Sequence, residues 1–539
     1  MNSTLLTRLH PWLIGLGAIA FYFAQNTSYF DWTAPISALI GIWFLTGITI
    51  IAIGKVTKDY LVAAGITTMV ILPFLFFFPL WDIAHQAANK ALYRWIFQGI
   101  VIAIFLMTTG AGWLVLTRKK KIRETASRAV SIMALIFAIP SLITWSAQGL
   151  RGTVKIPFQA TPSIQAAPTD AVLPDIYYVI LDGYPRHDTL ETHFELNNTP
   201  FLSELEARDI QVVSNSFSNY PQTSLSLSSS LNLDYLHALP GDLSTNDRKI
   251  SFNLFHTNRI TSILHEKGYQ VVHFDTGYKS TTPTRHTDIY ETARYESGIL
   301  NEFVFHIIKR TLLRPFLSDL LNLSYNRNHR TRIHHVFGGL PGYSQNGKPD
   351  YVLAHIVSPH PPFVIPGTPI QEKAAVGSLL DGPGLRRESG ISKEEYRIAY
   401  SQQIQGINKL TIGMIDQLRN NSTDQYILIL QADHGSLSKA NIDDAYQDNP
   451  ENDFQERFAI FLAIGSSNES VSFSRDLTPV NLFRDLMNQL WETDYPLLEN
   501  EHYYATWGQC FKFTEISGHL TNVDGSPRLN QEPKPIQSP

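Results

Sequence analysis

Cysteine is nearly missing: among 539 residues only Cys510 carries a thiol. No intrachain disulfide can form, and no structural zinc site of thiolates can be built. The same fact leaves the compartment open, since a chain without disulfides suits either redox environment. Charge is scarce in five apolar stretches, roughly 11–30, 34–53, 60–81, 95–116 and 129–148. Ionisable groups at membrane depth mark transport paths, so this scarcity argues for an anchor or lipid guide rather than a pump. A basic stripe is missing from the remainder: residues 151–539 carry a net charge of −12, against +7 for residues 1–150. That argues against nucleic-acid binding. There is no internal repeat. No small-residue cleavage site is clear after the first apolar stretch, which Gln25 and Asn26 interrupt, and four further stretches follow it, so it reads as a span and not a signal peptide.

What is present divides the chain. Each apolar stretch is near the ~20 residues a helix needs to cross the hydrocarbon core. Lys55 and Lys58 lie in one connection; Arg118, Lys119, Lys120, Lys121, Arg123 and Arg128 lie in another. Both connections belong in the cytoplasm by the positive-inside rule. The 82–94 connection, with Lys90 and Arg94, then lies outside and is mildly discordant. Five spans with the N-terminus inside put everything after residue 150 outside. The expected organisation is a five-span anchor over 1–150, a linker over 151–174 rich in Pro, Ala and Thr, and a soluble domain over 175–539.

In that domain, strand-like runs at 176–181, 210–213, 269–274, 351–357, 426–430 and 458–463 alternate with helical stretches at 199–208, 258–267, 394–419 and 478–490. The alternation predicts a layered α/β fold. Residues 300–345, rich in Arg and His, read as a less regular insertion near the site.

Two strands end in metal-ligand chemistry. Tyr426-Ile427-Leu428-Ile429-Leu430 leads to Asp433-His434-Gly435, and Tyr177-Tyr178-Val179-Ile180-Leu181 leads to Asp182-Gly183-Tyr184. Open α/β sheets build their sites at the C-terminal ends of strands. Carboxylates beside an imidazole suit a divalent metal. For Asp182 alone, a turn or a helix cap is the plainer reading; the second half-site tips it toward a ligand. Thr223 enters a Ser-rich stretch that begins a helix, where a hydroxyl meets a metal and an electropositive helix end together. Its plainer reading is capping, and Ser224 is the next choice as nucleophile. His355 lies on a strand and His360 in the Pro-stiffened loop that follows it. His360, in the loop, is placed to bind an oxyanion or protonate a leaving group; His355 is evenly balanced between site and structure. Arg186 and Asp188 support the loop or meet an anion. The cluster His329-Arg330-Arg332-His334-His335 reads as a solvated face before a headgroup site.

Taken together, Leu181-Asp182-Gly183-Tyr184, Thr223-x-x-Ser226, Ser358-Pro359-His360-Pro361-Pro362-Phe363 and Asp433-His434-Gly435 resemble the alkaline phosphatase superfamily in its sulfatase-like branch, over about 175–495. Five spans before such a domain look like lipoteichoic-acid synthases and phosphoethanolamine transferases. The resemblance implies an alkaline-phosphatase-like α/β sandwich with a mostly parallel sheet. It implies a divalent ion (Zn, Mn, Mg or Ca) on Asp182, Thr223, Asp433 and His434, Thr223 as nucleophile and His360 against the transferred group or acceptor. It further implies a phospholipid donor, a glycan or lipid acceptor, a covalent phospho-threonine, and a multi-pass protein of a bacterial plasma or inner membrane with its catalytic domain outside.

The departures are specific. Thr223-Ser224-Leu225-Ser226 lacks the Pro and Arg of the formylglycine motif, and Asp182-Gly183 stands where sulfatases carry adjacent aspartates. Sulfate-ester hydrolysis by the formylglycine route is therefore disfavoured. Hydrolysis of phosphodiesters or sulfate esters at the same site is the alternative activity. An inactive membrane scaffold and a transporter with a soluble appendage are the readings from other classes.

Overall fold

The computed structural model describes residues 7–27, 30, 32–87, 120–150, 173–239, 243, 247–281, 283–293, 302–343, 348–374, 380–422, 425–439, 453–467 and 471–528. The chain forms two compact units: residues 1–154 with 296–321, and residues 155–295 with 322–539.

The first unit contains helices α1 (His10–Gln25), α2 (Ala34–Thr57), α3 (Tyr60–Ala87) and α4 (Lys120–Leu150). Ala34–Thr57 and Ile122–Ala147 are long and apolar enough to cross a membrane; Tyr60–Phe76 is a shorter apolar helix. The expected fourth span, 95–116, lies outside the described residues, as does the linker up to residue 172. Ile14, Ile19, Phe23, Ile42 and Ile71 form the shared core. The helix ends sort into two groups. At one, Arg123 pairs with Asp59 at 2.9 Å and Arg8 lies 5.3 Å from the Tyr60 ring centre. At the other, the Trp145 indole donates to the Trp32 carbonyl at 2.7 Å.

The second unit is built on a seven-stranded sheet in the order β2-β7-β6-β1-β5-β3-β4. The strands are β1 (Asp175–Leu181), β2 (Ile210–Val212), β3 (Gln270–Phe274), β4 (Ile289–Glu291), β5 (Asp350–Ile356), β6 (Tyr426–Gln431) and β7 (Leu462–Ser466). Only β7 runs against the others. Every residue of β1 and β5 is buried, as expected of strands covered on both faces. The period-two pleat divides β1 between two cores. Tyr177, Val179 and Leu181 face one with Ile404, Ile407 and Met414; Ile176, Tyr178 and Ile180 face the other with Leu227, Leu482 and Phe483. Helix α5 (Thr223–Asn232) and α7 (Pro479–Trp491) cover the second face, and α6 (Lys393–Asn421) the first. A capping box, Ser392 with Glu395, starts α6.

The sheet is therefore the mostly parallel, doubly covered α/β architecture expected. Three details differ. The last strand begins at Leu462 and not at 458, because Phe454–Phe458 forms a short helix whose N-cap Asp453 accepts from Glu456 N. The three-residue β4 has no counterpart among the expected strands. Residues 300–345 are helical over Glu302–Arg310 and Arg314–Gly339 and not irregular.

Candidate active site at the strand ends

β1 lies between β5 and β6 in parallel register, with Leu181 opposite Ile356 and Ile180 opposite Gln431. The segments leaving all three strands thus emerge at one edge. Gly183, at φ +74°, makes the turn after Asp182. Its N–H donates to Asp433 Oδ1 at 3.0 Å, and the His434 N–H donates to the same oxygen at 2.9 Å. Asp433 Oδ2 and Asp182 Oδ1 have no hydrogen-bond partner, although both are buried. They lie 3.3 Å and 3.5 Å from His434 Nε2. These three ligand atoms sit within 4.8 Å of one another.

Buried carboxylate oxygens without a partner are costly unless a cation compensates them. Burial pushes the Asp182 carboxyl up, but the imidazoles of His360, His355 and His434 outweigh it and hold it well below the usual range. Burial, then the Arg457 guanidinium, lowers the His434 imidazole and keeps it neutral. Two carboxylate oxygens and an imidazole nitrogen fit a divalent metal ion.

The tautomer of His434 follows from its neighbours. Nδ1 lies 2.9 Å from the Gly435 carbonyl, which only accepts, so Nδ1 carries the proton and Nε2 offers a lone pair. Thr223 Oγ1 lies 3.2 Å from that nitrogen. Thr223 is the first residue of α5; the preceding Gln222 is extended and makes no side-chain cap. The Thr223 hydroxyl is thus committed to His434 at an electropositive helix end, not to capping. Among the described residues, Ser224 makes no bond to Asp182, Asp433 or His434, and the Ser226 hydroxyl has no partner.

The histidines separate by role. His355 Nε2 lies 3.3 Å from Asp182 Oδ2, and its Nδ1 lies 2.9 Å from Thr281 Oγ1; it backs the carboxylate from behind. His360 is half-buried, with Nδ1–H on the Pro361 carbonyl at 2.8 Å and its ring centre 6.5 Å from that of His434. Arg186 holds Asp188 at 2.7 Å and the Thr521 carbonyl at 3.0 Å. Arg330 donates to the Val364 carbonyl and Arg332 pairs with Asp275, so the Arg/His cluster ties helix to loop.

Two positioning groups carry no sequence signal that marks them. Arg457 donates through Nε to the Pro221 carbonyl at 2.7 Å and through Nη1 to the Gly435 carbonyl at 3.0 Å, joining the loop before Thr223 to the loop after His434. Glu456 accepts from Ser436 Oγ at 2.8 Å and Ser438 N at 2.6 Å. A Cβ on Gly435 would fall 2.1 Å from the Glu456 carbonyl oxygen, so only glycine fits between these segments. A cavity of about 690 Å³ lined by His193, Arg386, Arg397, Lys439 and Asp453 opens one loop away. It contains none of Asp182, Thr223, Asp433 or His434, whose unpartnered carboxylate oxygens make the buried cluster the candidate site.

A mostly parallel sheet carrying two strand-end carboxylates, an imidazole and a helix-start hydroxyl at one edge defines a hydrolase or transferase of the alkaline phosphatase type. The Sulfatase family model matches residues 174–489, and the chain belongs to that family, in agreement with the motifs. No curated protein matches the chain. Among solved structures, it is similar to the integral membrane lipooligosaccharide phosphoethanolamine transferase A of Neisseria meningitidis, with 11% identity over 91% of this chain and 96% of that chain and a TM-score of 0.40. The periplasmic domain of phosphoethanolamine transferase EptC from Campylobacter jejuni gives 11% identity over 60% and 93%, TM-score 0.36. A phosphonate monoester hydrolase from Silicibacter pomeroyi gives 14% over 60% and 74%, TM-score 0.38.

Proposed function

We propose that the protein is a membrane-anchored, metal-dependent transferase that moves a phosphoryl-linked head group from a lipid donor to a glycan or similar acceptor through a covalent phospho-threonine. The observation that carries this reading is the Thr223 hydroxyl, 3.2 Å from His434 Nε2 at the start of a buried helix and beside the two carboxylates.

Asp182, Asp433, His434 and Thr223 would hold the metal ion, which when bound supplies a lowered hydroxyl pKa and charge neutralisation at the phosphoryl oxygens. The protein's own groups do the rest. Thr223 Oγ loses its proton to solvent and bonds to phosphorus while the bond to the lipid alcohol breaks in line. His360 gives a proton from Nε2 to the leaving alkoxide and takes one back from the incoming acceptor hydroxyl. The acceptor oxygen bonds to phosphorus and Thr223 Oγ is released. The start of α5 favours the anionic intermediate, and His355 and Arg457 keep carboxylate and hydroxyl in register. With water as the second nucleophile the same steps make a hydrolase.

The grouping of Arg8, Lys58, Asp59 and Arg123 toward one end of the first unit supports a cytoplasmic N-terminus and an extracytoplasmic catalytic domain. The deciding experiment is mass spectrometry of Thr223 after incubation of the whole protein with metal and mixed membrane phospholipids. The expected result is an adduct on Thr223 with the mass of a phosphoryl-linked head group. Undiminished phosphodiester turnover by metal-free Thr223→Ala protein would overturn the reading.

A further inference from the structure

The helix Glu302–Arg310 lies inside the stretch matched by the Sulfatase family, yet it packs with the apolar helices of the first unit. Phe303 is fully buried there, its ring centre 5.3 Å from Tyr22, 6.3 Å from Phe23 and 5.1 Å from Phe30. The Leu312 N–H donates to the Phe74 carbonyl at 3.2 Å. Tyr22, Phe23 and Phe30 lie at the end of α1 away from Arg8, the end where Trp145 meets Trp32. At 16 residues, α1 rises about 24 Å, short of the ~30 Å hydrocarbon core. Phe303 fills the space over its end.

The rest of this segment has the chemistry of a membrane boundary. Arg310 lies 4.4 Å from the Tyr22 ring centre and Lys309 4.6 Å from that of Phe305. In each the charged group itself lies over an aromatic ring, a cation–π contact that keeps a cation beside apolar surface. Leu313 and Leu320 are exposed, at 38% and 64%. Apolar side chains interleaved with cations next to the ends of membrane helices match a segment that lies in the headgroup region.

We propose that residues 302–321 form an interfacial membrane segment, seated in the non-cytoplasmic leaflet with Leu313 and Leu320 against lipid. This gives the catalytic domain a second attachment to the bilayer, inserted between β4 and β5, besides the one at its N-terminal end. The proposal rests on α1–α4 being membrane helices, and its test separates the two.

A photoreactive benzoyl-phenylalanine is placed, one at a time, at positions 313, 320, 136 and 204 of the whole protein in phospholipid vesicles. Ile136 is 65% exposed on α4 and reports the span itself; Glu204, in the helix Thr199–Glu206 of the second unit, reports water. The expected result is a phospholipid adduct at 313 and 320 comparable with that at 136, and only background at 204. Adducts at 136 with background at 313 and 320, or adducts there only to protein, overturn the interfacial segment alone. Background at 136 overturns the membrane reading beneath it.

Discussion

Thr223 and Ser224 are adjacent hydroxyls at the start of one helix, yet only Thr223 reaches His434. Thr223→Ser should retain partial activity, because a hydroxyl remains at the same atom. Thr223→Ala should lose turnover by roughly 10³-fold or more while keeping most of its metal, since Asp182, Asp433 and His434 remain. Ser224→Ala should form the adduct normally; loss of the adduct in Ser224→Ala but not in Thr223→Ala would move the nucleophile by one residue. Asp433→Ala should abolish both metal content and turnover, whereas Asp188→Ala should be mild, because that carboxylate braces Arg186 and the start of its own helix. Metal retained by dialysed Asp433→Ala protein would refute the ligand set. The positions of the candidate residues were legible in the sequence, because Asp182 follows β1, Asp433 follows β6 after Ala432 and Thr223 opens α5. Arg457 and Glu456 were not. They act through hydrogen bonds to distant loops, Arg457 to a carbonyl 236 positions away, and nothing in their local composition marks that.

Elements fix the site more tightly than single side chains do. The segment 453–458 closes on the Asp433-His434-Gly435 turn, and the Gly435 N–H donates to the Arg457 carbonyl at 2.7 Å. Gly435→Ala should therefore push the turn away from 456–457 and cut activity by at least about tenfold, a 1.4 kcal/mol loss in the transition state. Circular dichroism should show the fold retained; wild-type kcat/KM in that variant would mean the clamp is slack. The strands β1, β5 and β6 were legible because fully buried parallel strands read as unbroken apolar runs. That same property hid the start of β7. Phe458 through Ile464 is one apolar run, and periodicity places no boundary within it; the only signal was the cap pattern Asp453-x-x-Glu456. The Arg/His-rich helix Arg314–Gly339 was missed for the opposite reason. Its helicity is sustained by ties such as Arg330 to Val364 and Arg332 to Asp275, which no apolar stripe announces.

The whole molecule carries histidines that stay neutral by burial. Burial lowers His273 to about 4, and His329 and His502 to about 3. Below an unfolded value near 6.5 the unfolded chain binds these protons first, so stability falls as pH drops, by up to about 1.4 kcal/mol per pH unit for each. The apparent Tm in detergent should decrease from pH 7 to pH 5; a flat or rising profile would contradict the burial. Topology is tested at the same scale. A C-terminal alkaline phosphatase fusion should be active and a green fluorescent protein fusion dark, and the reverse pattern would overturn the orientation. One further consequence lies in the bond from Gly183 N to Asp433 Oδ1, which joins positions 250 apart. A ribosome delivers Asp182 and Thr223 well before the partners that complete the constellation. Until the β6 turn has crossed and closed, an emerging chain has half a ligand set and an idle hydroxyl. On the proposed function, chemical competence therefore waits for the turn after β6, and a nascent chain that carries only the first half of the constellation is inert.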